Sequence, residues 1–155
     1  MFDKEVRLSF DCEIEASVAR LYDFHIDTNN LPLITPPWII TDVISLDLPL
    51  KENSEIELDI TRFNLTKRWK MKIEALQEPV LVCDRALQSP FASFIHYHRF
   101  EAITEVKSRL KDEIIFTLPL YPLSLIVVPF IKRDISKMFS YRHQQTKTLL
   151  ENKYV

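Results

Sequence analysis

The feature that most constrains the fold of this chain is a change of hydrophobic period at Pro122. Before Pro122, apolar side chains recur at every second position in a series of short segments, as in half-buried β-strands. After it, they recur every three or four positions, as on one face of a helix. A sheet with one apolar face needs a cover, and only the terminal helix is long enough to provide it. The sequence therefore predicts an α+β protein in which an antiparallel sheet curves around a long C-terminal helix.

Seven segments have the strand pattern, and a short helix is predicted at residues 17–25, after the first of them. Short connections between the last six segments predict successive antiparallel neighbours. Pro129 is expected to kink or delay the terminal helix near its start. The predicted strands span residues 6–14, 39–48, 55–62, 65–75, 80–88, 94–103 and 108–118. The apolar stripe of the helix is predicted to contain Leu123, Val127, Phe130, Ile131, Ile135, Met138, Phe139, Arg142, Gln145 and Leu149.

Three prolines within six residues connect the first helix to the second strand, at Pro32, Pro36 and Pro37. Proline fixes its own φ angle and restricts the preceding residue, so this segment is expected to be rigid without regular structure. An aromatic residue, Trp38, follows directly. We expect the Pro-rich segment, residues 25–38, to form a wall or lid at one end of a pocket beneath the terminal helix.

Glycine is absent from the 155 residues, which excludes several common kinds of site. A Walker loop, a dinucleotide-binding fingerprint and a nucleophile elbow each require glycine at a fixed position. Turns must instead be formed by Asn, Asp, Ser and Pro. The length indicates a single domain, residues 1–155, and no cofactor or metal is predicted.

Charge and cysteine content restrict the partners and the compartment. The formal net charge of −2 indicates no nucleic-acid partner. Residues 122–155 contain six basic and two acidic residues, a net charge of +4, so the helix is basic and the remainder acidic. The N-terminus has no signal-peptide pattern, and the apolar run at residues 118–131 is too short to span a bilayer. Cys12 and Cys83 lack metal-ligand spacing and indicate reduced thiols in a cytoplasmic protein. Nothing in the sequence indicates the oligomeric state.

A polar cluster is predicted on the inner face of the last three strands. If the final turn is centred on position 105, His98 lies opposite Asp112. A turn near positions 90–91 places Asp84 opposite His96 or His98. Because side chains alternate along a strand, all four share one face with apolar neighbours. The residues predicted on this inner face are Asp84, Phe94, His96, His98, Phe100, Asp112, Ile114, Phe116 and Leu118.

Three interpretations of this cluster remain open. The simplest is an Asp–His hydrogen-bonded network that fixes strand register, because buried charges must be paired. The second is a polar anchor for the head group of an apolar ligand. The third is catalysis, with His96 or His98 as general base oriented by Asp84 or Asp112, or metal binding, for which no third ligand is clearly supplied.

Arg142 falls on the predicted helical stripe, so its guanidinium is expected to point inward. It could bind a ligand carboxylate or phosphate. We favour the alternative, a salt bridge to Asp84, Asp112 or the Pro-rich segment, because buried arginine is usually paired. His25 is expected to be a local hydrogen-bond partner near Asp27. The residues expected to line a ligand cavity are Trp38, Trp69, Phe94, His96, His98, Phe116, Ile131, Ile135, Met138 and Arg142.

Several of these segments resemble the SRPBCC superfamily (START-like, helix-grip proteins), in its polyketide cyclase/dehydrase-like branch. The Pro-rich segment is similar to an "NLP-LTPPW" motif, and residues 94–100 to a "W-x-H-x-H-x-F" pattern. Residues 118–122 are similar to "LPLGP" and residues 139–142 to "F-x-Y-R". The resemblance implies a helix-grip fold, with about seven antiparallel strands around a C-terminal helix and one or two short helices after the first strand. It also implies binding of a hydrophobic small molecule.

Three functions are consistent with these predictions. The first is binding, transport or sequestration of a lipid, isoprenoid or polyketide-like molecule. The second is a cyclase or dehydratase that uses His96 or His98 with Asp84 or Asp112. The third is a peripheral membrane or protein-interaction module that uses the exposed face of Ile95 and Tyr97, or the apolar lead-in to the helix, residues 123–130. For the lead-in we favour ordinary burial against the sheet.

Overall fold

A computed structural model describes residues 4–152, in which seven strands form one antiparallel sheet and a 24-residue helix packs against it. This is the α+β helix-grip architecture predicted from the change of period. The elements are β1 Val6–Ile14, α1 Val18–Ile26, a 3₁₀ helix Thr28–Ile34, β2 Ile40–Leu46, β3 Glu55–Arg62, β4 Leu65–Gln77, β5 Leu81–Gln88, β6 Ser93–Thr104, β7 Lys107–Thr117, a 3₁₀ helix Leu123–Val127 and α2 Val128–Glu151.

The strand order β1-β7-β6-β5-β4-β3-β2 follows from the short connections in the sequence. Hairpins join β2 to β7 in succession, and β1 pairs with β7 to complete the sheet. The predicted register is confirmed, because His98 pairs with Asp112 and Asp84 pairs with His96. The polar cluster therefore lies on the middle strands, on the face that α2 covers.

The Pro-rich segment is more regular than predicted. Ser17 caps α1 by accepting a hydrogen bond from the Arg20 N–H at 3.2 Å. Asp27 caps the following 3₁₀ helix by accepting from the Asn29 N–H at 3.1 Å. The backbone at residues 28–34 is helical rather than irregular, because the Asp27 cap stabilises a helical turn that can include Pro32. With α1, this makes two short helices after β1, within the one or two that the resemblance implied.

The start of α2 agrees with the prediction for Pro129. A 3₁₀ helix precedes α2, and Pro129 occupies its first turn, where its missing N–H would have no partner in any case. The helix is thus delayed rather than kinked.

The buried stripe of α2 differs from the predicted one at both ends. The buried residues are Ile135, Phe139, His143, Thr146 and Leu150, whereas Gln145 and Leu149 are only half-buried. Beyond Phe139 the prediction followed the neighbouring stripe of the helix, one residue away from the buried one.

The expected burial of the apolar lead-in is also wrong, since Leu123, Ile126 and Phe130 are each about three-quarters exposed. A 3₁₀ helix has a period of three, so helical spacing continued through it does not keep to one face. Val127 is exposed too, and Ile131 is the first stripe residue that turns inward.

Two apolar clusters form the core on either side of the polar residues. One contains Leu21, Tyr22 and Phe100, between α1 and the sheet. The other contains Phe116 and Phe139, between α2 and the sheet. Burial of each of these large side chains contributes roughly 1.5–3 kcal/mol. The first cluster also contains Leu150 of α2, whose carbonyl oxygen accepts a hydrogen bond from Arg20 of α1 at 3.2 Å, so the C-terminal end of α2 contacts α1.

The remaining structural observations concern the thiols and the surface. Cys12 is half-buried and Cys83 is buried, and both are free thiols. Ile95 and Tyr97, predicted to be exposed, are half-buried on the outer face of the sheet, where the Arg99 guanidinium covers the Tyr97 ring at 4.7 Å. None of the helices within residues 4–152 is apolar over a length that would cross a bilayer.

Candidate functional site

A cavity of about 480 Å³ lies between the sheet and α2. Its walls are the inner face of the sheet, the Pro-rich segment and the inward side of α2. The volume falls within the range of small-molecule sites in proteins. The Pro-rich segment contributes Asn30, Leu31, Ile34 and Thr35, so the prediction that it forms a pocket wall is confirmed.

Eight of the ten residues expected to line a cavity do so. They are Trp69, Phe94, His96, His98, Ile131, Ile135, Met138 and Arg142.

Trp38 and Phe116 do not line the cavity. Trp38 is 48% exposed and packs on Tyr141, with 5.9 Å between the ring centroids. It is therefore directed toward the outer side of α2. Phe116 is fully buried beneath Phe91, at a centroid distance of 5.0 Å. Phe91, from the connection between β5 and β6, takes the place at the cavity that was expected for Phe116.

Further residues line the cavity without having been assigned to it from the sequence. Leu58 of β3 and Met71 of β4 lie at the inward positions of clearly alternating strands, so their pattern could have identified them. Phe91 lies in a connection, where no periodicity indicates direction. Phe139 was placed on the helical stripe but not assigned to the cavity that it lines.

At one end of the cavity, Asp112 is hydrogen-bonded to two histidines. Its Oδ1 accepts from His96 Nε2 at 2.8 Å, and its Oδ2 accepts from His143 Nε2 at 2.6 Å. His98 bridges the two carboxylates: its Nε2 donates to Asp84 Oδ2 at 3.3 Å. Its Nδ1 lies 3.0 Å from Asp112 Oδ1, within ion-pair distance but without hydrogen-bond geometry. The predicted interior cluster is thus present, as a connected network.

His143 belongs to the network although the sequence analysis did not assign it. It follows Phe139 by four residues and precedes Thr146 by three, which is the spacing of the buried face of α2. With His143 included, all four histidines of the chain lie in this region. The ring centroid of His25 is 5.8 Å from that of His98.

His25 makes the local hydrogen bond expected of it. Its Nδ1 bonds the Leu21 carbonyl oxygen at 2.9 Å, within α1. The ring also lines the cavity.

Two histidines of the network carry a proton at neutral pH. Burial alone would lower the pKa of His98, but the negative charges of Asp84 and Asp112 outweigh burial and raise the pKa to about 10. Burial also opposes protonation of His143, and the hydrogen bond to Asp112 raises its pKa to about 9. Burial would raise the pKa values of both carboxyls, yet the imidazoles hold them below their ordinary values. The end of the cavity therefore contains two carboxylates and two imidazolium ions.

The other two histidines are neutral. Burial and the positive charge of His98 lower the pKa of His25 to about 4. The same two effects lower the pKa of His96. Because neutral His96 donates from Nε2 to Asp112, its Nδ1 carries a lone pair. A neutral and a protonated imidazole thus lie side by side on the cavity wall, with 3.7 Å between ring centroids, which is an arrangement able to accept and donate protons.

The same residues offer three donor atoms to a metal ion. One atom each from Asp84, His96 and His98 lies within 4.8 Å of the other two. No third ligand was clear from the sequence, and Asp84 supplies one. A metal would have to displace the proton of His98, because imidazole coordinates only when deprotonated. The hydrogen-bonded network competes directly with that exchange.

Arg142 is not paired with a carboxylate, contrary to the salt bridge that we favoured from the sequence. Within residues 4–152, no carboxylate oxygen lies within 4.0 Å of its guanidinium. Its contacts are the Phe139 ring at 5.0 Å and the Met138 sulfur at 4.0 Å, and its Nε is buried without a hydrogen-bond partner. Burial lowers the pKa of the guanidinium. The reason for the unpaired state is that Asp84 and Asp112 are already engaged by histidines.

An ion pair lies in the wall at the far end of the cavity. Arg62 at the end of β3 binds both carboxylate oxygens of Asp134 on α2, and both residues line the cavity. Beside them, Leu65 is 65% exposed and also lines the cavity. This end therefore meets the protein surface.

Comparison with known proteins identifies the fold. No protein-family model and no curated protein matches the sequence. Norcoclaurine synthase from Thalictrum flavum, in a structure with dopamine and hydroxybenzaldehyde, is 11% identical with a TM-score of 0.73 over 99% of this chain and 91% of that chain. The di-domain ARO/CYC protein StfQ of the steffimycin biosynthetic pathway is 12% identical, with a TM-score of 0.78 over 96% of this chain and 51% of that chain.

A START superfamily protein from Mycobacterium smegmatis is 13% identical, with a TM-score of 0.71 over 94% of this chain and 97% of that chain. At such identities the similarity establishes the fold alone. It confirms the START-like, helix-grip architecture that the resemblance to SRPBCC proteins implied.

Proposed function

We propose that this START-like protein binds a hydrophobic small molecule, such as a lipid, isoprenoid or polyketide-like compound, in the cavity beneath α2. The observation that supports this most directly is a cavity of about 480 Å³ whose walls are mainly apolar, with a cluster of charged groups at one end and an ion pair at the other. A pocket of this kind binds through its apolar walls and orients the ligand through a few polar groups. Solved structures with the same fold include one in complex with small molecules.

Binding of an uncharged fluorescent probe to the protein tests this proposal. N-phenyl-1-naphthylamine is uncharged and fluoresces in apolar surroundings, so it should bind the wild-type protein with a saturable increase in emission. Met138 lines the cavity. Met138→Trp fills part of the space and should weaken probe binding by at least ~10-fold, corresponding to about 1.4 kcal/mol.

The matched control is Arg133→Trp, which introduces the same side chain at an exposed position of α2. It should leave probe affinity unchanged. Equal affinities in the two variants would place the probe outside the cavity and would contradict the proposal. Native mass spectrometry of the purified protein provides an independent readout, because a retained ligand adds a defined mass.

A second candidate function is docking on an anionic membrane surface, and one observation favours it. Five apolar residues near the surface end of the cavity are at least 65% exposed: Phe63, Leu65, Leu123, Ile126 and Phe130. The ion pair between Arg62 and Asp134 brings the turn after β3 next to the start of α2. Two exposed cations, Lys132 and Arg133, adjoin this apolar surface. Apolar residues flanked by cations are typical of peripheral membrane contact, which liposome flotation tests.

A further inference from the structure

The unpaired guanidinium of Arg142 indicates what kind of ligand the cavity accepts. Arginine carries five N–H donors and cannot lose its charge by deprotonation in a protein. A buried charge without a partner is costly, so such groups are normally paired. Here the Nε is buried without a hydrogen-bond partner, and Arg142 is one of the residues that line the cavity. The group that would complete its hydrogen bonding must therefore enter through the cavity.

No carboxylate of the cavity wall is left to serve as that partner. Four aspartates line the cavity within the described residues. Asp84 and Asp112 are held by histidines. Asp134 is held by Arg62, and Asp27 accepts a backbone N–H of the 3₁₀ helix. Each aspartate already has its own partner within the fold.

The charges around Arg142 leave an excess of one positive charge. Asp84 and Asp112 contribute two negative charges, and the protonated His98 and His143 balance them. Arg142 is then the third cation at this end of the cavity, while the remaining two histidines are neutral. One monoanionic group would neutralise the site.

We infer that the ligand is an amphipathic carboxylic acid, whose carboxylate is bound by Arg142 and whose apolar body fills the rest of the cavity. This inference rests on the proposed function, since it specifies the head group of the same ligand. The planar guanidinium matches a carboxylate with two parallel hydrogen bonds. A phosphate monoester fits less well, because it carries a charge of about −1.5 to −2 at pH 7 and exceeds the single positive charge available.

The preference of the cavity for a carboxylate is measured by how well three ligands displace the neutral fluorophore N-phenyl-1-naphthylamine. Decanoic acid, 1-decanol and decyl phosphate share one apolar chain and differ in the head group. At pH 7.4 and below their aggregation concentrations, the wild-type protein should bind decanoic acid at least ~10-fold more tightly than decanol, as expected for charge-assisted hydrogen bonds. Decyl phosphate should bind more weakly than decanoic acid.

Arg142→Met retains an apolar side chain of similar length and removes the guanidinium. It should bind decanoic acid and decanol with equal affinity, while its affinity for decanol stays within about 3-fold of wild type, since the shared chain contributes equally. Arg133→Met, the same substitution on the exposed side of α2, should keep the preference of the wild type.

The outcomes separate this inference from the proposed function. If neither decanoic acid nor decanol displaces the fluorophore and the fluorophore itself does not bind, the proposed function fails. If decanol binds as tightly as decanoic acid, or the preference survives in Arg142→Met, the carboxylate assignment fails while the apolar cavity stands. Tighter binding of decyl phosphate than of decanoic acid would likewise overturn the carboxylate assignment.

Discussion

Asp112 is the residue that determines the protonation of its surroundings. It lies almost fully buried on β7 and contacts three imidazoles, two from β6 and one from α2. Its negative charge favours the protonated forms of His98 and His143, which in turn keep Asp112 ionised. Because the aspartates and histidines are hydrogen-bonded to one another, the guanidinium of Arg142 has no carboxylate partner within the fold. A structural network and the ligand anchor that we propose, which the sequence presented as alternatives, are thus compatible at one site.

The network predicts a stability maximum near pH 6.5. His98 and His143 bind protons more tightly in the folded protein, so their contribution is complete below the ordinary histidine pKa of 6.5 and is lost as the pH rises through about 9 to 10. His25 and His96 act in the opposite sense: their contribution is complete above 6.5 and is lost as the pH falls, toward about 4 for the pKa of His25. Urea unfolding between pH 5 and 10 measures the free energy of unfolding at each pH.

His98→Gln provides the matched comparison for that profile. The variant should lose a large part of the decline above pH 7, because glutamine does not titrate. A wild-type free energy of unfolding that stays constant between pH 7 and 10 would contradict the assigned protonation states.

At the scale of elements, one ion pair connects α2 to the edge of the sheet. Arg62 lies at the last position of β3, and Asp134 lies in the second turn of α2, with two parallel hydrogen bonds between them. Residues 123–127 before α2 contain no buried side chain, so this ion pair and Ile131 fix the start of the helix over the cavity. The Nε of Arg62 is buried without a hydrogen-bond partner, so the hydrogen bonds of this side chain to Asp134 are made by its two terminal nitrogens.

A double-mutant cycle should detect this connection. Arg62→Ala and Asp134→Ala should each lower the free energy of unfolding, and the double variant should lose less than the sum. We expect a coupling of about 1 kcal/mol, toward the upper end for partly exposed pairs because the geometry is bidentate. The exposed pair of Arg85 and Glu74 is a suitable control and should couple less strongly. Additive losses at Arg62 and Asp134 would show that the pair does not hold α2.

For the whole molecule, the cavity opens toward a surface that is unusually apolar. Phe63 is 86% exposed and has a φ angle of 51°, and Leu120 is 79% exposed with a φ angle of 62°. The left-handed conformation costs a residue other than glycine roughly 1–2 kcal/mol. Two exposed apolar residues are thus held in a strained backbone, Phe63 in the turn between β3 and β4 and Leu120 in the connection between β7 and α2. A bilayer in contact with this surface could exchange an amphipathic ligand with the cavity.

Liposome flotation should reveal that contact. Vesicles that contain anionic phospholipid should carry the wild-type protein to the top of the gradient, whereas Phe130→Ser combined with Ile126→Ser should reduce the bound fraction several-fold. Ile44→Ser, a change at an exposed apolar residue of β2, is the control and should bind like the wild type. Equal binding to neutral and anionic vesicles, or none to either, would remove docking on an anionic membrane surface as a function.

The strands, their register and the polar cluster followed from the sequence, because alternation fixes which face a side chain takes and short turns fix which strands are neighbours. The pairing of His98 with Asp112 was predicted from alternation and turn position alone. The contribution of His143 was missed, because a one-residue error in the helical stripe rotates the predicted face by about 100°.

The sequence by itself determined the order of the elements and the faces they bury, since both are local consequences of spacing along the chain. Only the tertiary structure decided how the charges are paired. Arg142, Asp84 and Asp112 come from different elements, and the competition of three imidazoles for two carboxylates depends on distances that no spacing encodes. The tertiary structure likewise placed Trp38 outside the cavity and left the apolar lead-in exposed, because the direction of a 3₁₀ segment depends on what α2 packs against.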